Sequence, residues 1–300
     1  MKAVVFGGAG FLGSYVADVL TDAGYLVRIF DLKPSPYIRA GQTMIVGDIL
    51  DPDAVSKAVE GCDYVYNFAG IADLDDASTK PSDTLLLNVY GNTLLLDACV
   101  RAGCRRFIYA STIYVYGDKG GFYRCSKQAS ELYIEEYHRH FNLSYSVLRY
   151  GTLYGPRADG RNSIYRYLRQ ALKEKKISAG GTGDEFREYI HVRDAARLSV
   201  EILDDRYANT HVTLTGHHVM RFKDLLLTIR EILGEQIEIE YIEMANRNHY
   251  ELTPYSYVPK VGYKLTSNCY VDIGQGLIEC LAEIDREMQE GSTENGETKA

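Results

Sequence analysis

Residues 2–20 read KAVVFGGAGFLGSYVADVL. The run from Ala3 to Phe6 has the β-branched and aromatic make-up of a buried strand, and Phe11 to Leu20 carries apolar residues at helical spacing. Between them Gly7, Gly10 and Gly13 form G-x-x-G-x-x-G. A glycine turn in that context brings free backbone N–H groups and the positive end of a helix to one point, where a pyrophosphate can sit. Gly7, Gly10, Phe11, Leu12 and Gly13 are therefore candidate cofactor contacts. The next strand pattern, YLVRIFD (25–31), ends in Asp31, about 20 residues downstream. A carboxylate there would accept a hydrogen bond from the adenosine ribose 2′-hydroxyl and repel a 2′-phosphate. NAD rather than NADP is the expected cofactor, with Lys33 close enough to soften the discrimination.

The same alternation continues outward. TMIV (43–46), DYVYNFAG (63–70), RRFIYAS (105–111) and SYSVLRY (144–150) read as further strands. FLGSYVADVLTDAG (11–24), DPDAVSKAVEG (51–61), DTLLLNVYGNTLLLDACVRAG (83–103) and YRCSKQASELYIEEYHRHF (123–141) read as the helices between them. Strand–helix alternation at this spacing implies right-handed crossovers and an α/β fold with a doubly wound parallel sheet. Beyond YGPRADG (154–160) the rhythm changes. Helical patterns at 163–176, 192–203 and 222–234 are separated by the short strands HVTLTG (211–216) and IEIEYIE (237–243). The expected organisation is a Rossmann domain over 1–158 and a smaller mixed α/β substrate lobe over 159–290, some of whose segments return to the first domain. The polar stretch 291–300 is expected to be a disordered tail.

Composition narrows the function. The 300 residues are 46% hydrophobic and 25% charged, with 33 basic against 41 acidic residues and a formal net charge of −8. Such a balance argues against a surface built for nucleic acid or anionic membrane. No apolar run approaches the roughly 20 residues a membrane span requires. The apolar start of the chain lacks a small-residue cleavage site, so a cytoplasmic protein is expected. Six cysteines (62, 99, 104, 125, 269 and 280) include no C-x-x-C pair, and no histidine pattern has metal-ligand spacing, so free thiols and no metal are expected.

Tyr123 and Lys127 stand four apart, on one face of the helix that begins YRCSK. A tyrosine with its ordinary pKa of about 10 is a poor base unless a positive charge stabilises its phenolate, and a lysine one turn away supplies that charge. The glycine spacing together with this pair resembles the short-chain dehydrogenase/reductases. Further segments resemble their extended, nucleotide-sugar-modifying branch: GDILD (47–51), NFAG (67–70), NVYGN (88–92), ASTIYVYG (110–117), LRYGTLYGPR (148–157) and GTGDEFREYIHVRDAA (181–196). The resemblance runs in order over roughly residues 2–235. It implies that Asp48 and Ile49 contact the adenine, and that Phe68, Ala69 and Gly70 lie beside the nicotinamide ribose. It also implies Tyr123 as general base, Lys127 as anchor of the cofactor ribose, and Thr112 as hydrogen-bond partner of the reacting oxygen. Thr152, where the family usually has asparagine, and Arg187 align with positions that contact the substrate's nucleoside diphosphate.

Two departures bear on the reaction. Five residues separate Gly117 from Tyr123, where most relatives have a longer loop, so a more open substrate side is expected. Ile113 and Tyr114 follow Thr112, where the family's sugar 4,6-dehydratases carry an acidic pair that moves protons at neighbouring carbons. The resemblance therefore points to an NAD-dependent epimerase that transiently oxidises one carbon, C4 by family analogy, of a nucleotide-diphosphate sugar. A nucleotide-sugar 4-dehydrogenase or 4-keto-sugar reductase is the alternative, and a non-enzymatic NAD-binding scaffold a remote one. A homodimer is expected, because in this family the helices holding Asn88 and Tyr123 pack across a two-fold axis.

Overall fold

The computed structural model describes residues 1–217, 219–234, 236–242, 263–266 and 269–294. Its first strand, β1 (Lys2–Phe6), alternates faces as a strand buried on both sides must: Ala3 and Val5 enter one apolar layer, Val4 and Phe6 the other. Neighbouring strands β2 (Leu26–Asp31), β3 (Gln42–Val46), β4 (Tyr64–Asn67), β5 (Arg106–Thr112) and β6 (Tyr145–Tyr150) pair with it, or with each other, in parallel. Among the described residues the sheet has eight strands, completed by β10 (Thr210–Leu214) and β13 (Tyr263–Leu265), in the order β13-β10-β6-β5-β4-β1-β2-β3. From β1 the chain winds outward to β2 and β3, then crosses to β4 on the opposite side. That reversal opens a crevice at the strands' carboxyl ends, where doubly wound sheets bind their ligands.

Helices cover both faces. On one, α1 (Phe11–Asp22) packs against α8 (Val192–Glu201); on the other, α2 (Pro52–Val59), α5 (Gly91–Ala102) and α6 (Gly121–Phe141) lie side by side. Local signals fix several ends. Asp51 caps α2 through the N–H groups of Asp53 and Ala54, with Pro52 in the first turn, and Gly103 closes α5 at φ 66°. The helix expected from Asp83 is more complex: the short helices α3 (Leu74–Thr79) and α4 (Pro81–Leu85) precede a π-helical turn, Leu86–Tyr90, that leads into α5.

The second lobe joins a three-stranded sheet, β7 (Thr152–Tyr154), β9 (Phe186–His191) and β11 (Val219–Arg221), to a two-stranded one, β8 (Lys176–Gly180) and β12 (Glu238–Ile242). Helices α7 (Ser163–Glu174), α9 (Phe222–Leu233) and α10 (Ile273–Glu294) enclose its core, in which Leu168, Leu226 and Leu277 are fully buried.

Segments beyond residue 158 lie on the large sheet. The helix pattern at 192–203 became α8, on the large sheet, and HVTLTG became β10 (Thr210–Leu214), which pairs with β6 and with β13 (Tyr263–Leu265). Burial is the reason: Ala195, Leu198, Val212 and Leu214 share an apolar layer with residues of α1. Helix α10 runs to Glu294, past the expected start of the tail; residues 295–300 lie outside the described residues.

Candidate active site

The glycine turn sits at the carboxyl end of β1. Gly7 has φ 74°, and a Cβ there would meet the backbone of Phe68 and Ala69 at 2.7 Å, so a side chain fits neither the conformation nor the space. Gly13 packs as closely, its absent Cβ falling 2.2 Å from the Gly7 carbonyl oxygen. Helix α1 then begins at Phe11 with no side-chain cap on Gly10 and no acidic residue in its first turn. Its leading N–H groups, including those of Phe11 and Leu12, lack intrahelical partners and face the crevice edge with the positive end of the helix dipole. These residues fit a pyrophosphate.

The other cofactor candidates line the same edge, because each follows or ends a parallel strand. Asp31, last in β2, accepts a hydrogen bond from the Ala9 N–H at 3.0 Å, which engages one carboxylate oxygen and holds it against the glycine turn. Asp48 and Ile49 follow β3: Asp48 Oδ1 accepts from the Leu50 N–H, and Ile49 is buried against Gly91 at the start of α5. Phe68, Ala69 and Gly70 follow β4. The Phe68 N–H donates to the Phe6 carbonyl, and Asn67 Oδ1 accepts from the Ala69 N–H.

Thr112, Tyr123 and Lys127 come together one strand further along. Thr112 ends β5, while Tyr123 and Lys127 project from the first turns of α6. The Thr112 hydroxyl hydrogen-bonds the Tyr123 phenol and opposes the effect of burial, which pushes the phenol up to about 12. Lys127 is buried. Its Nζ donates to the Ala110 carbonyl at 2.8 Å and lies 4.7 Å from the Tyr109 ring centre and 5.7 Å from that of Tyr123. Burial pushes this ammonium down to about 8, against the pull of Glu131. A phenol with a hydroxyl partner and a buried cation one turn away can accept and return a proton.

Asn88, which opens the NVYGN segment, and Ser126, which the sequence did not single out, join the two halves of the site. Asn88, buried in the π-helical turn, accepts from the Ile71 N–H (2.8 Å) and donates to the Ile71 carbonyl (2.9 Å) and to Ser126 Oγ (2.9 Å). Ser126 in turn donates to the Tyr123 carbonyl. The loop after β4 is thus tied to the helix that holds Tyr123. For Asn88 the signals in the sequence are the NVYGN segment and a polar residue inside the apolar run LLLNV (85–89).

Thr152 and Arg187 stand apart, on the three-stranded sheet. Thr152 of β7 pairs with Tyr189 of β9, and since side chains alternate, Arg187, Tyr189 and Thr152 share one face. The Arg187 guanidinium donates to the Phe186 carbonyl at 2.9 Å and bears electrostatically on Tyr167 of α7. Among the described residues no group of three or more His, Cys, Asp or Glu side chains is arranged to hold a metal, and no helix is long and apolar enough to cross a membrane.

Comparison with known proteins bears on this geometry. The model of a family described as the NAD-dependent epimerase/dehydratase family matches residues 3–214. The chain belongs to that family. Among relatives of this NAD-dependent epimerase/dehydratase, dTDP-glucose 4,6-dehydratase of Streptomyces antibioticus is 30% identical over 227 residues, 65% of this chain and 66% of the relative. UDP-glucose 4-epimerase of Azospirillum brasilense is 27% identical over 285 residues, 81% of this chain and 80% of the relative. The crystal structure of UDP-glucose 4-epimerase from Thermotoga maritima with UDP-glucose superposes with a TM-score of 0.84 at 22% identity, covering 96% of this chain and 100% of that one. Both reaction types in the family description recur among these relatives, so the class is settled while the reaction turns on the site's own residues.

Proposed function

We propose that this enzyme epimerises a nucleotide-diphosphate sugar by removing and restoring hydride at one sugar carbon, C4 by analogy with its relatives. The observation that carries this reading is the Thr112–Tyr123–Lys127 cluster, with Ile113 and Tyr114 at the two positions after Thr112. Ile113 is buried in an apolar cluster with Val115 and Tyr116, and the Tyr114 ring meets that of Tyr123 edge-on at 6.4 Å. Water elimination needs further proton carriers on neighbouring carbons, and these two positions lack the acidic pair that would serve. Bound NAD supplies the hydride acceptor and, on return, the hydride donor.

The chain's own residues do the rest. Thr112 and Tyr123 hold the reacting hydroxyl between them; Tyr123 takes its proton as the carbon is oxidised and gives it back when hydride returns to the opposite face. Lys127 stabilises the phenolate and anchors the cofactor ribose. The pyrophosphate rests on Gly7, Gly10, Phe11, Leu12 and Gly13, and the ribose on Asp31. Asp48 and Ile49 flank the adenine, and Phe68, Ala69 and Gly70 the nicotinamide ribose. Arg187 and Thr152 hold the substrate's diphosphate, a task a guanidinium fork suits; their common face on one sheet supports the pairing. A homodimer belongs to the same proposal, supported by Leu85, Leu86 and Tyr90 and by Leu132, Tyr133 and Phe141, large apolar side chains exposed on packed neighbours α4, the π-helical turn and α6. Work in the cytoplasm is supported by six free thiols.

Tyr123→Phe tests the mechanism. The variant should fold and bind NAD, while turnover of an accepted nucleotide sugar falls by roughly 10²–10⁴. The intact enzyme should yield the inverted sugar with no net change in NAD. Accumulating NADH would instead mark a dehydrogenase, and a 4-keto-6-deoxy product, or undiminished turnover by Tyr123→Phe, would overturn the proposal.

A further inference from the structure

Tyr123, Lys127 and Glu131 follow one another at four-residue spacing along α6, so one face of the helix carries phenol, ammonium and carboxylate in a row. Lys127, Glu131 and Arg149 are all buried, at 6%, 5% and 3% exposure. The Glu131 carboxylate is fixed from two strands. Ser111 Oγ of β5 donates to Oε1 at 2.5 Å, and Arg149 of β6 forks onto it, Nε to Oε1 at 3.1 Å and Nη2 to Oε2 at 2.6 Å. Arg149 is itself held by the Tyr116 hydroxyl (3.0 Å), which shares a hydrogen bond with Thr213 of β10. Around these groups the other titratable neighbours are His211 of β10, its Nε2 3.8 Å from Glu131 Oε2 and 3.3 Å from Glu135 Oε1, and the phenols of Tyr109 and Tyr145. Asp97 of α5 is taken up by Tyr137, a turn and a half further along α6.

Among the described residues no carboxylate is bonded to Lys127. Its partners among the described residues are a carbonyl and two aromatic rings, which satisfy a donor without matching a full charge. An ammonium so desolvated loses its proton unless a negative charge lies near. The same ion pair is poorly accounted for as a stability device, because apolar residues can replace a buried pair with little loss.

We propose that Glu131 is a positioning residue for the catalytic pair, its carboxylate locked by Ser111 and Arg149 one turn beyond Lys127 so that the buried lysine stays charged and aimed at Tyr123. Glu131 touches neither substrate nor cofactor in this arrangement and acts through Lys127. Arg149 acts through Glu131, since without its two hydrogen bonds the carboxylate would be free to turn toward His211. The pull of Glu131 on Lys127 is opposite in sign to that of burial.

This inference rests on Tyr123 and Lys127 being the catalytic pair, and its test is read without substrate or cofactor. With lysine labelled at ¹³Cε, the Lys127 resonance of the NAD-free protein is assigned by its loss in Lys127→Met and followed through a pH titration. Its midpoint, near 8 in the intact protein, should fall by about one pH unit or more in Glu131→Gln. The alkaline limb of turnover should move down by the same amount, with substrate KM little changed. Where Glu131→Gln leaves Arg149 buried without a counter-ion and fails to fold, Glu131→Gln/Arg149→Met removes both charges and must still lower the midpoint. An unmoved or raised midpoint in either folded variant overturns the proposal. A lowered midpoint in a protein that turns over no nucleotide sugar would uphold the role of Glu131 while refuting the proposed reaction.

Discussion

Replacing Asn88 by alanine should loosen the cofactor side of the site from the catalytic side. The substitution removes three hydrogen bonds, two to Ile71 and one to Ser126. A net loss of about 1 kcal/mol per bond, with more for any group left unpaired in the interior, gives about 2–4 kcal/mol. Ile71 is half-buried, so water can replace part of what it loses, and Ser126 keeps its bond to the Tyr123 carbonyl, which argues for the lower half of that range. A protein of ordinary stability survives such a loss. Denaturant unfolding of the NAD-free protein measures it directly, and isothermal titration with NAD measures the second effect, a weaker affinity, because the loop carrying Phe68 to Gly70 is no longer held to α6. Gly70 sharpens the test. A Cβ there would fall 2.3 Å from Asn88 Oδ1, so Gly70→Ala should cost less in an Asn88→Ala background than in the intact chain, with a coupling of about 0.5–3 kcal/mol. The backbone strain at φ 135° is the same in both backgrounds and cancels. Additive effects at 70 and 88, or an Asn88→Ala protein as stable and as tight for NAD as the parent, would refute this account of the joint.

Asp31→Ala should narrow the preference for NAD over NADP in equilibrium binding, and equal affinity for the two in the intact protein would refute the role given to the carboxylate. Lys127 is held below its ordinary 10.5, at about 8, so the unfolded chain binds more protons than the folded one between those values. Stability of the NAD-free protein should accordingly rise with pH across that window, and Lys127→Met should lack this rise while losing activity; parallel pH profiles of unfolding would count against a desolvated ammonium. Leu132→Glu, on an exposed apolar position of α6, should shift the protein to monomer in light scattering, and a parent that is already monomeric at micromolar concentration would refute the dimer.

What the sequence made legible was chemistry confined to a few consecutive residues. Strand, glycine turn and helix over 2–20 are local, and each of their signals points the same way. Tyr123 and Lys127 are likewise related by helical spacing alone. Partners chosen across the fold were not legible. Asn88 reaches Ser126 over 38 positions through a π-helical turn that no residue pattern announced. Glu131 meets Arg149 because a helix and a strand happen to pack, and no spacing in the sequence relates the two. The strand HVTLTG has the same composition wherever it pairs; only the apolar layer shared with α1 decided that it extends the large sheet.

That return of β10 to the large sheet shapes the birth of the protein. When residue 158 leaves the ribosome, β6 is still an open edge, with its row of N–H and C=O groups unpaired, and the face of α1 that α8 will cover is bare. Translation then needs seconds to deliver α8 and β10. During that interval the nascent chain presents the combination that invites strand-to-strand aggregation, so a fragment ended at 158 should aggregate where the full chain does not, and holding factors that shield exposed edges should matter to this enzyme in that brief stretch of its synthesis.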